Sequence, residues 1–219
     1  LRAKLNRLRM EMLGDISWPE HAAIFSTPLR VACEIDIPLV FYGENPQDQY
    51  GGPPGTDAAL QMTRRWTTEF GGFLGLRPQD LECMTSERSM RDYMPPKEWR
   101  VLTAGLNGPQ QTATRGLEAH FLGQYLPWDS NENAKVAIAA GMQTNPYPPT
   151  QANFWCAENL DNAQTGIHDF MMYRKYGYGR GATQISVDIR AGRITREKAL
   201  DWVKKWDGYF PQFYMGVPI

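Results

Sequence analysis

The sequence predicts an α/β region followed by a small helical region, and two observations carry this prediction. Residues 37–42 form a continuous apolar run bounded by polar residues, a pattern typical of a strand buried on both faces of a parallel sheet. From about residue 157 to the C terminus, apolar residues recur at helical spacing. We therefore predict two domains, 1–150 and 151–219, that meet in the Pro-rich stretch over 144–153.

Periodicity and end signals place the other elements along the chain. We predict helices over 1–14, 24–35, about 56–74, 131–140, 157–176, about 182–191 and after Thr195. Trp18-Pro19 is predicted to form a turn, residues 117–126 a second strand, and residues 75–115 an irregular segment. The order of these elements favours strands and helices packed together in the first domain and helices alone in the second.

Composition and charge restrict the class of protein. The 219 residues are 42% hydrophobic and 21% charged, as in ordinary soluble globular proteins. A net charge of −1 gives no overall attraction to nucleic acid or to an anionic membrane. The three cysteines form no C-x-x-C pair, so neither a zinc ribbon nor a disulfide framework is indicated, and a reducing, cytoplasmic location is expected. No apolar run approaches the roughly 20 residues that span a bilayer, so we predict no membrane span.

The loop over 43–55 is the strongest candidate for chemistry. It follows the predicted strand at 37–42, and parallel α/β sheets bind ligands beyond the carboxyl ends of their strands. Carboxylates can hold Mg²⁺ against phosphates, and amides can read the edge of a base or sugar. The alternative is a polar loop tightened by Asx turns. On a backbone rich in Gly and Pro that begins at Gly43, the polar residues are Glu44, Asn45, Gln47, Asp48 and Tyr50.

Three features of the C-terminal region are open to two interpretations. The run Gly177-x-Gly179-x-Gly181 is similar to a phosphate-cradling loop, but it follows a predicted helix and is otherwise a helix C-cap joined to a turn. A polar stripe that includes His168 is either a solvated helix face or a wall of the site. Residues 174–205 carry nine basic and three acidic residues, 9 − 3 = +6, which either attract a nucleotide diphosphate or keep the helices soluble. The scattered histidines predict no metal site.

Several segments spread over nearly the whole chain, and in the same order, resemble one protein family. They are Trp18–His21, Phe25–Pro28, Ile37–Val40, Gly43–Gln47, Tyr50–Gly52, Leu122–Asp129, Glu158–Asp169 and Lys175–Arg193. Together they resemble the N-acetyl sugar amidotransferases of lipopolysaccharide and other surface-glycan pathways. The tail from Lys175 to Arg193 is the most specific of these stretches.

The resemblance implies a fold and a reaction. The family belongs to the adenine-nucleotide α-hydrolase-like superfamily, which implies the C-terminal portion of a Rossmann-like (HUP-type) parallel sheet followed by a small all-helical region. Using ATP and Mg²⁺, such enzymes adenylate the acetamido oxygen of an N-acetyl sugar or nucleotide sugar. Ammonia supplied by a glutaminase subunit then displaces AMP and leaves an acetamidino sugar. The logic is that an amide oxygen leaves poorly, whereas AMP leaves well.

The resemblance also suggests roles for individual residues. Two carboxylates, Glu44 and Asp48, become catalytic candidates. The candidate cofactor-binding residues are Gly43, Asn45, Gln47 and Tyr50. The candidate substrate-binding residues are His168, Arg180, Asp188 and Arg190. The two arginines are chosen because a guanidinium suits bidentate contact with phosphate.

One departure from the family pattern shapes the alternatives. No Ser-Gly-Gly-x-Asp-Ser phosphate-binding loop occurs in the chain. We expect that loop to lie before Leu1, which makes this chain an incomplete or inactive version of the enzyme. An incomplete sheet exposes strand edges, so homo-oligomerisation is expected.

Two other functions stay open. The first is a non-catalytic binding or scaffold protein on the same fold. The second is a tRNA-modifying PP-loop relative, which the small net charge and the absence of cysteine pairs disfavour.

Overall fold

The computed structural model describes residues 2–44, 61–63, 66–67, 80, 90–96, 117–144, 153–160, 162, 164–214 and 217–219. The chain divides into two compact units. Unit 1 contains Leu1–Asn6 and Trp18–Pro127, and unit 2 contains Arg7–Ser17 and Trp128–Ile219. The predicted domain boundary near residue 150 lies outside the described residues and stays a prediction.

The described residues form α-helices, short strands and two 3₁₀ turns. The helices are α1 (Arg2–Leu13), α2 (Trp18–Glu34), α3 (Ser130–Ala139), α4 (Thr165–Tyr176), α5 (Arg180–Arg190) and α6 (Arg196–Trp206). The strands are β1 (Leu39–Tyr42), β2 (Glu118–Phe121), β3 (Phe213–Tyr214) and β4 (Val217–Pro218). The 3₁₀ turns are Met90–Tyr93 and Leu122–Gln124. Among these helices, none combines the length and the apolar character that a bilayer crossing requires.

The core of unit 1 lies on one face of a parallel strand pair. β1 and β2 pair in parallel, with Tyr42 opposite Phe121. The buried face of this pair packs on α2 through Phe25 and Leu29, and the rings of Trp66 and Phe121 lie 4.7 Å apart. The mixed α/β prediction is therefore confirmed. The finer prediction of a Rossmann-like sheet stays a prediction, because the described residues contain one parallel pair.

The second face of this strand pair corrects one expectation. Residues 37–42 were expected to be buried on both faces, yet Leu39 and Phe41 are 42% and 51% exposed. Successive side chains of a strand point to opposite faces, so Val40 and Tyr42 turn towards the core while Leu39 and Phe41 turn away. The apolar run thus correctly predicted a strand, but it did not reveal that one of its faces is open.

The helix α2 begins earlier than predicted. Trp18-Pro19 opens the helix instead of forming a turn, because proline is well suited to the first helical turn. Two side chains of α2 hold the end of the first 3₁₀ turn and the residue after it. Ser26 donates to the carbonyl of Tyr93 at 2.9 Å, and Arg30 donates to the carbonyl of Met94 at 2.8 Å. These bonds fix a segment that is far from α2 in sequence.

Unit 2 starts with an irregular segment where a helix was predicted. α4 begins at Thr165 instead of near 157, because Asn159 is left-handed at φ 56° and the Asn162 side chain accepts from Gln164 N at 2.9 Å. Such an Asx turn competes with helix formation. At its other end, α4 stops at left-handed Gly177. The C-cap interpretation of the glycine run is thereby confirmed.

The end of the chain is partly as predicted. Thr195 caps α6 by accepting from Lys198 N at 3.5 Å, as expected. Beyond α6, however, the prediction of helix to the C terminus is wrong, because β3 and β4 form a short antiparallel pair. Most of the predicted helix at 56–74 and of the irregular segment at 75–115 lies outside the described residues.

Candidate functional site

The predicted ligand-binding loop begins where β1 ends. Gly43 and Glu44 directly follow Tyr42, the last residue of β1, and both are exposed. Because β1 and β2 are parallel, their carboxyl ends lie at the same edge of the sheet, where ligands bind in parallel α/β folds. The remaining candidates of this loop, Asn45, Gln47, Asp48 and Tyr50, lie outside the described residues, and their roles stay predictions.

A polar cluster stands on the open face of the same strand pair. Glu118 and His120 are two residues apart on β2 and therefore share a face. Glu118 Oε2 lies 2.8 Å from His120 Nε2 and accepts from Gln61 Nε2 at 3.2 Å. On the other side of the imidazole, Nδ1 is in hydrogen-bond contact with the hydroxyl of Tyr125. Four polar side chains thus form one chain of contacts centred on His120.

The contacts of His120 fix its tautomer. An ionised carboxylate can only accept hydrogen bonds, so the Nε2 atom that faces Glu118 must carry a hydrogen. In the neutral ring Nδ1 is then the acceptor, and the Tyr125 hydroxyl donates to it. Gln61 and His120 both donate to the same carboxylate oxygen, which explains why their nitrogen atoms lie only 3.2 Å apart. The cluster therefore has a defined direction, from the phenol through the imidazole to the carboxylate.

Local structure positions Tyr125. The chain leaves β2 in the 3₁₀ turn Leu122–Gln124, and the backbone N–H of Tyr125 donates to the Leu122 carbonyl at 3.0 Å. This turn brings the phenol back over the strand that it has just left. The ring of Phe41 stands edge-on to Tyr125, with the ring centres 5.8 Å apart. As a result His120 is 8% exposed, whereas Tyr125 is 51% exposed.

Unit 2 contains the predicted substrate residues His168 and Arg180 in a buried ion-pair network. Arg180 Nε donates to Asp169 Oδ2 at 2.7 Å, and His168 Nδ1 lies 2.9 Å from Asp169 Oδ1. Arg180 also lies 3.7 Å from Glu158 Oε2, and His168 Nε2 lies 4.0 Å from Asp15 Oδ1. Burial on its own raises the pKa of Asp169, but the charge of Arg180 and the hydrogen bonds from His168 and Arg180 outweigh it and hold that pKa below its usual value.

Gln184 of α5 ties the irregular segment before α4 to the helix. Its Oε1 accepts from the backbone N–H groups of Phe154 and Trp155 at 2.6 and 3.3 Å. Its Nε2 donates to Glu158 Oε2 at 2.7 Å and to Asn153 Oδ1 at 3.2 Å. One buried amide thus uses both of its ends to fix the segment 153–160.

The other two predicted substrate residues, Asp188 and Arg190, form their hydrogen bonds outside the ion-pair network of His168 and Arg180. Asp188 accepts from Arg193, from the indole of Trp155 and from Asn131, at 2.7, 3.0 and 2.7 Å. Arg190 is exposed and donates to Ser186 at 3.2 Å. The structure therefore joins His168 with Arg180, and it places Asp188 in a second cluster without Arg190.

The glycine run at 177–181 contacts a carboxylate of the protein itself, the side chain of Asp207. The Asp207 carboxylate accepts from Gly179 N at 2.7 Å and from Ala182 N at 3.3 Å, at the N terminus of α5. Burial raises the pKa of Asp207, although these backbone donors oppose the rise. A side chain on Gly179 would meet Asp207, since a Cβ there would lie 2.6 Å from Oδ1. The Asp207 carboxylate therefore occupies the position that a phosphate would take in a phosphate-cradling loop.

The sequence analysis did not identify Glu118, His120 and Tyr125 as a group. Glu118 and His120 carry a detectable signal, because a spacing of two within a predicted strand puts both on one face. Tyr125 carries none, since a turn that cannot be seen in the sequence returns it to β2. In the described parts of the chain, no group of three or more His, Cys, Asp or Glu side chains converges as a metal site would require.

The fold and the candidate site define a mixed α/β protein with a polar edge on a parallel strand pair and a helical C-terminal region. Residues 148–216 match the family model described as "LPS biosynthesis protein WbpG-like, C-terminal domain". This C-terminal region is therefore similar to that domain, which supports, at this level, the resemblance to a lipopolysaccharide-biosynthesis family. A comparison with curated proteins gives no match.

Proposed function

We propose that this protein takes part in lipopolysaccharide biosynthesis as an ATP-dependent amidotransferase that converts an N-acetyl sugar into an acetamidino sugar. The observation that carries the proposal is the match of residues 148–216 to the C-terminal domain of a lipopolysaccharide-biosynthesis protein. It agrees in pathway with the resemblance that segments along nearly the whole sequence indicate.

The edge of the parallel pair supports the position of the reaction. Glu44 stands exposed directly beyond β1, and a carboxylate is the kind of ligand that Mg²⁺ prefers. If Mg²⁺ and ATP bind at this edge, Glu44 would help to hold the metal against the phosphates. Among the described residues of this loop, Gly43 and Glu44, it is Glu44 that carries a ligand suited to Mg²⁺.

The proposed reaction has two steps. The acetamido oxygen attacks the α-phosphorus of ATP, and pyrophosphate leaves. Ammonia then adds to the activated carbon, AMP leaves with the oxygen, and the nitrogen loses a proton to give the amidine. The protein has to position the two reactants and to accept the proton that the nitrogen loses.

An assay of AMP release tests the proposal. The full-length protein is incubated with ATP, Mg²⁺, an ammonium salt and a set of nucleotide-linked N-acetyl sugars, and AMP and the sugar product are measured by mass spectrometry. We expect AMP formation that requires both the sugar and ammonia and that falls in Glu44→Ala and Asp48→Ala. Glu132→Ala is the control, because Glu132 is an exposed carboxylate paired with Lys135 on α3. Failure to form AMP with every sugar would contradict the proposal.

A second candidate is a non-catalytic binding or scaffold protein. It is favoured by the intramolecular engagement of Arg180 and Asp188, whose charges are already met by Asp169 and Arg193. In this alternative, the internal ion pairs hold unit 2 in shape, and its surface binds a ligand or a partner. Tight binding of a nucleotide sugar without AMP release in the same assay would favour this candidate.

A further inference from the structure

The Tyr125–His120–Glu118 chain of hydrogen bonds has the layout of a proton relay. At one end the Glu118 carboxylate accepts from Nε2–H of the His120 imidazole at 2.8 Å. The middle member of the chain is buried, and its outer member is a phenol that is half exposed. Such an order, from an exposed hydroxyl to a buried base to a carboxylate, activates hydroxyl groups in enzymes.

The direction of the hydrogen bonds decides what the relay can do. Because Tyr125 donates its proton to Nδ1, the lone pairs of its oxygen are left to accept a proton. A proton from an N–H or O–H group of a ligand can therefore move to the phenol oxygen while the phenol's own proton moves to Nδ1. The imidazolium formed in this way is stabilised by Glu118. The tyrosine ends neutral, so the step balances with one proton gained by His120.

We propose that Tyr125, backed by His120 and Glu118, is the proton-accepting group at the carboxyl edge of the β1–β2 pair. The inference rests on the proposed function for the identity of its ligand: the ammonium-type nitrogen formed when ammonia adds to the activated carbon. The relay belongs to the same strand pair that leads into Glu44, since β2 lies beside β1. Glu44 and Tyr125 thus each follow, in sequence, the carboxyl end of one strand of the same pair.

The surroundings of His120 support a relay more than a structural hydrogen bond. Among the described residues, Glu118 and Tyr125 are the titratable groups that face the ring, and Gln61 and Phe41 add no charge. A hydrogen bond that merely held the turn at 122–125 would need neither the carboxylate behind the imidazole nor an exposed phenol. The ring of Phe41 also lies beside the imidazole, with the ring centres 6.1 Å apart.

Chemical labelling tests the relay without any turnover. An aryl sulfonyl fluoride reacts with a phenol when a neighbouring base takes the phenol proton, fluoride leaves, and the oxygen becomes bonded to sulfur. The probe is applied to the full-length protein, and labelled tyrosines are located by mass spectrometry. Tyr176 is the matched internal control, because it is 65% exposed and has Tyr178 as its ring neighbour. We expect Tyr125 to react at least about ten times faster than Tyr176, since general bases contribute roughly 10²–10⁴-fold.

Two variants separate the relay from simple exposure. His120→Gln should lower labelling of Tyr125 by about tenfold or more, on the same scale, and leave Tyr176 unchanged. Glu118→Gln, on a side chain that is 36% exposed, should also lower labelling of Tyr125 relative to Tyr176, because the neutral amide no longer stabilises the imidazolium formed when His120 takes the proton. Circular dichroism confirms folding of each variant, and Glu118→Gln alone decides the matter if His120→Gln does not fold.

The outcomes distinguish this inference from the proposed function. Equal labelling of Tyr125 and Tyr176, or unchanged labelling of Tyr125 in Glu118→Gln, overturns the relay whatever the AMP assay gives. Fast, His120-dependent labelling together with no AMP release keeps the relay and removes the amidotransferase as its context. Labelling and AMP release that both depend on His120 support the two together.

Discussion

The two units of this protein use their polar side chains in opposite ways. At the edge of the strand pair in unit 1, Glu44 is exposed and Tyr125 is 51% exposed. In unit 2, Asp169 and Asp188 are 2% and 6% exposed and lie in ion pairs with Arg180 and Arg193. These two carboxylates of unit 2 are thus turned inward, whereas Glu44 and Tyr125 of unit 1 are open to solvent.

This difference separates architecture from chemistry. A buried charge is tolerated when an opposite charge and hydrogen bonds meet it, and removal of one partner is costly. Exposed polar groups beyond parallel strands contribute little to stability and are free to meet a ligand. Substitutions of the buried ion pairs of unit 2 should therefore act on folding, and substitutions of exposed polar residues such as Glu44 should act on function alone.

The largest effect is expected at Asp169. In Asp169→Asn, the Arg180 guanidinium loses its nearest charge partner while it remains mostly buried, which should lower the free energy of unfolding by about 3–5 kcal/mol. Urea denaturation measures the change. The exposed pair of Glu132 and Lys135 is the control, where Glu132→Ala should cost at most about 1 kcal/mol. Equal effects at both sites would show that burial of the Asp169–Arg180 pair does not decide its contribution to stability.

The same carboxylate gives a pH dependence with a defined sign. The pKa of Asp169 is lowered in the folded protein, so its stabilising contribution is complete above the unfolded-state pKa of about 3.9 and is lost as pH falls through the folded value. The stability difference between the wild type and Asp169→Asn should therefore be constant near neutral pH and shrink below about pH 4. Denaturation midpoints at several pH values test this, and a difference that grows on acidification would contradict it.

A smaller effect is expected at Gly208, next to α4. Gly208 has a left-handed backbone at φ 74°, and a Cβ there would lie 2.4 Å from the ring of Tyr173. Gly208→Ala should therefore combine backbone strain with overpacking, at about 2–4 kcal/mol. Gly177 has φ 77° and open space around its Cβ position, so Gly177→Ala isolates the strain at about 1 kcal/mol. Thermal unfolding compares the two, and equal losses would show that Tyr173 moves aside freely.

The smallest effect on folding is expected at Glu44. Because its side chain is exposed beyond β1, Glu44→Ala should change the free energy of unfolding by no more than about 0.5 kcal/mol. Under the proposed function the same substitution lowers AMP release. Differential scanning fluorimetry beside the AMP assay measures both quantities, and a large loss of stability would mean that Glu44 is part of the architecture.

Local signals predicted much of the fold. The apolar run at 37–42 correctly predicted β1, and the Thr195 cap correctly predicted the start of α6. Where prediction failed, the deciding contacts are either very local or very distant. Asn159 and Asn162 delay α4 through turn geometry that helical periodicity does not register, and the pair β3–β4 is too short to show an alternating pattern.

The candidate site was predictable only in part. The position of Gly43 and Glu44 beyond a strand follows from the order of elements along the chain. The partner of the glycine run does not, because Asp207 lies 28 residues from Gly179 in sequence and no local pattern links them. The relay is an intermediate case, since spacing joins Glu118 to His120 but only the folded turn adds Tyr125.

The attachment of α3 has a consequence for the behaviour of this helix in salt. α3, which the structure describes throughout, buries none of its ten residues. Its first turn is held by Asp129, which caps it and pairs with Arg193 at 2.6 Å, and by Asn131, which donates to Asp188. Ions screen such partly exposed pairs, whereas apolar packing survives them. Concentrated sodium chloride should therefore loosen this helix and open it to proteases while the hydrophobic parts of the molecule stay intact.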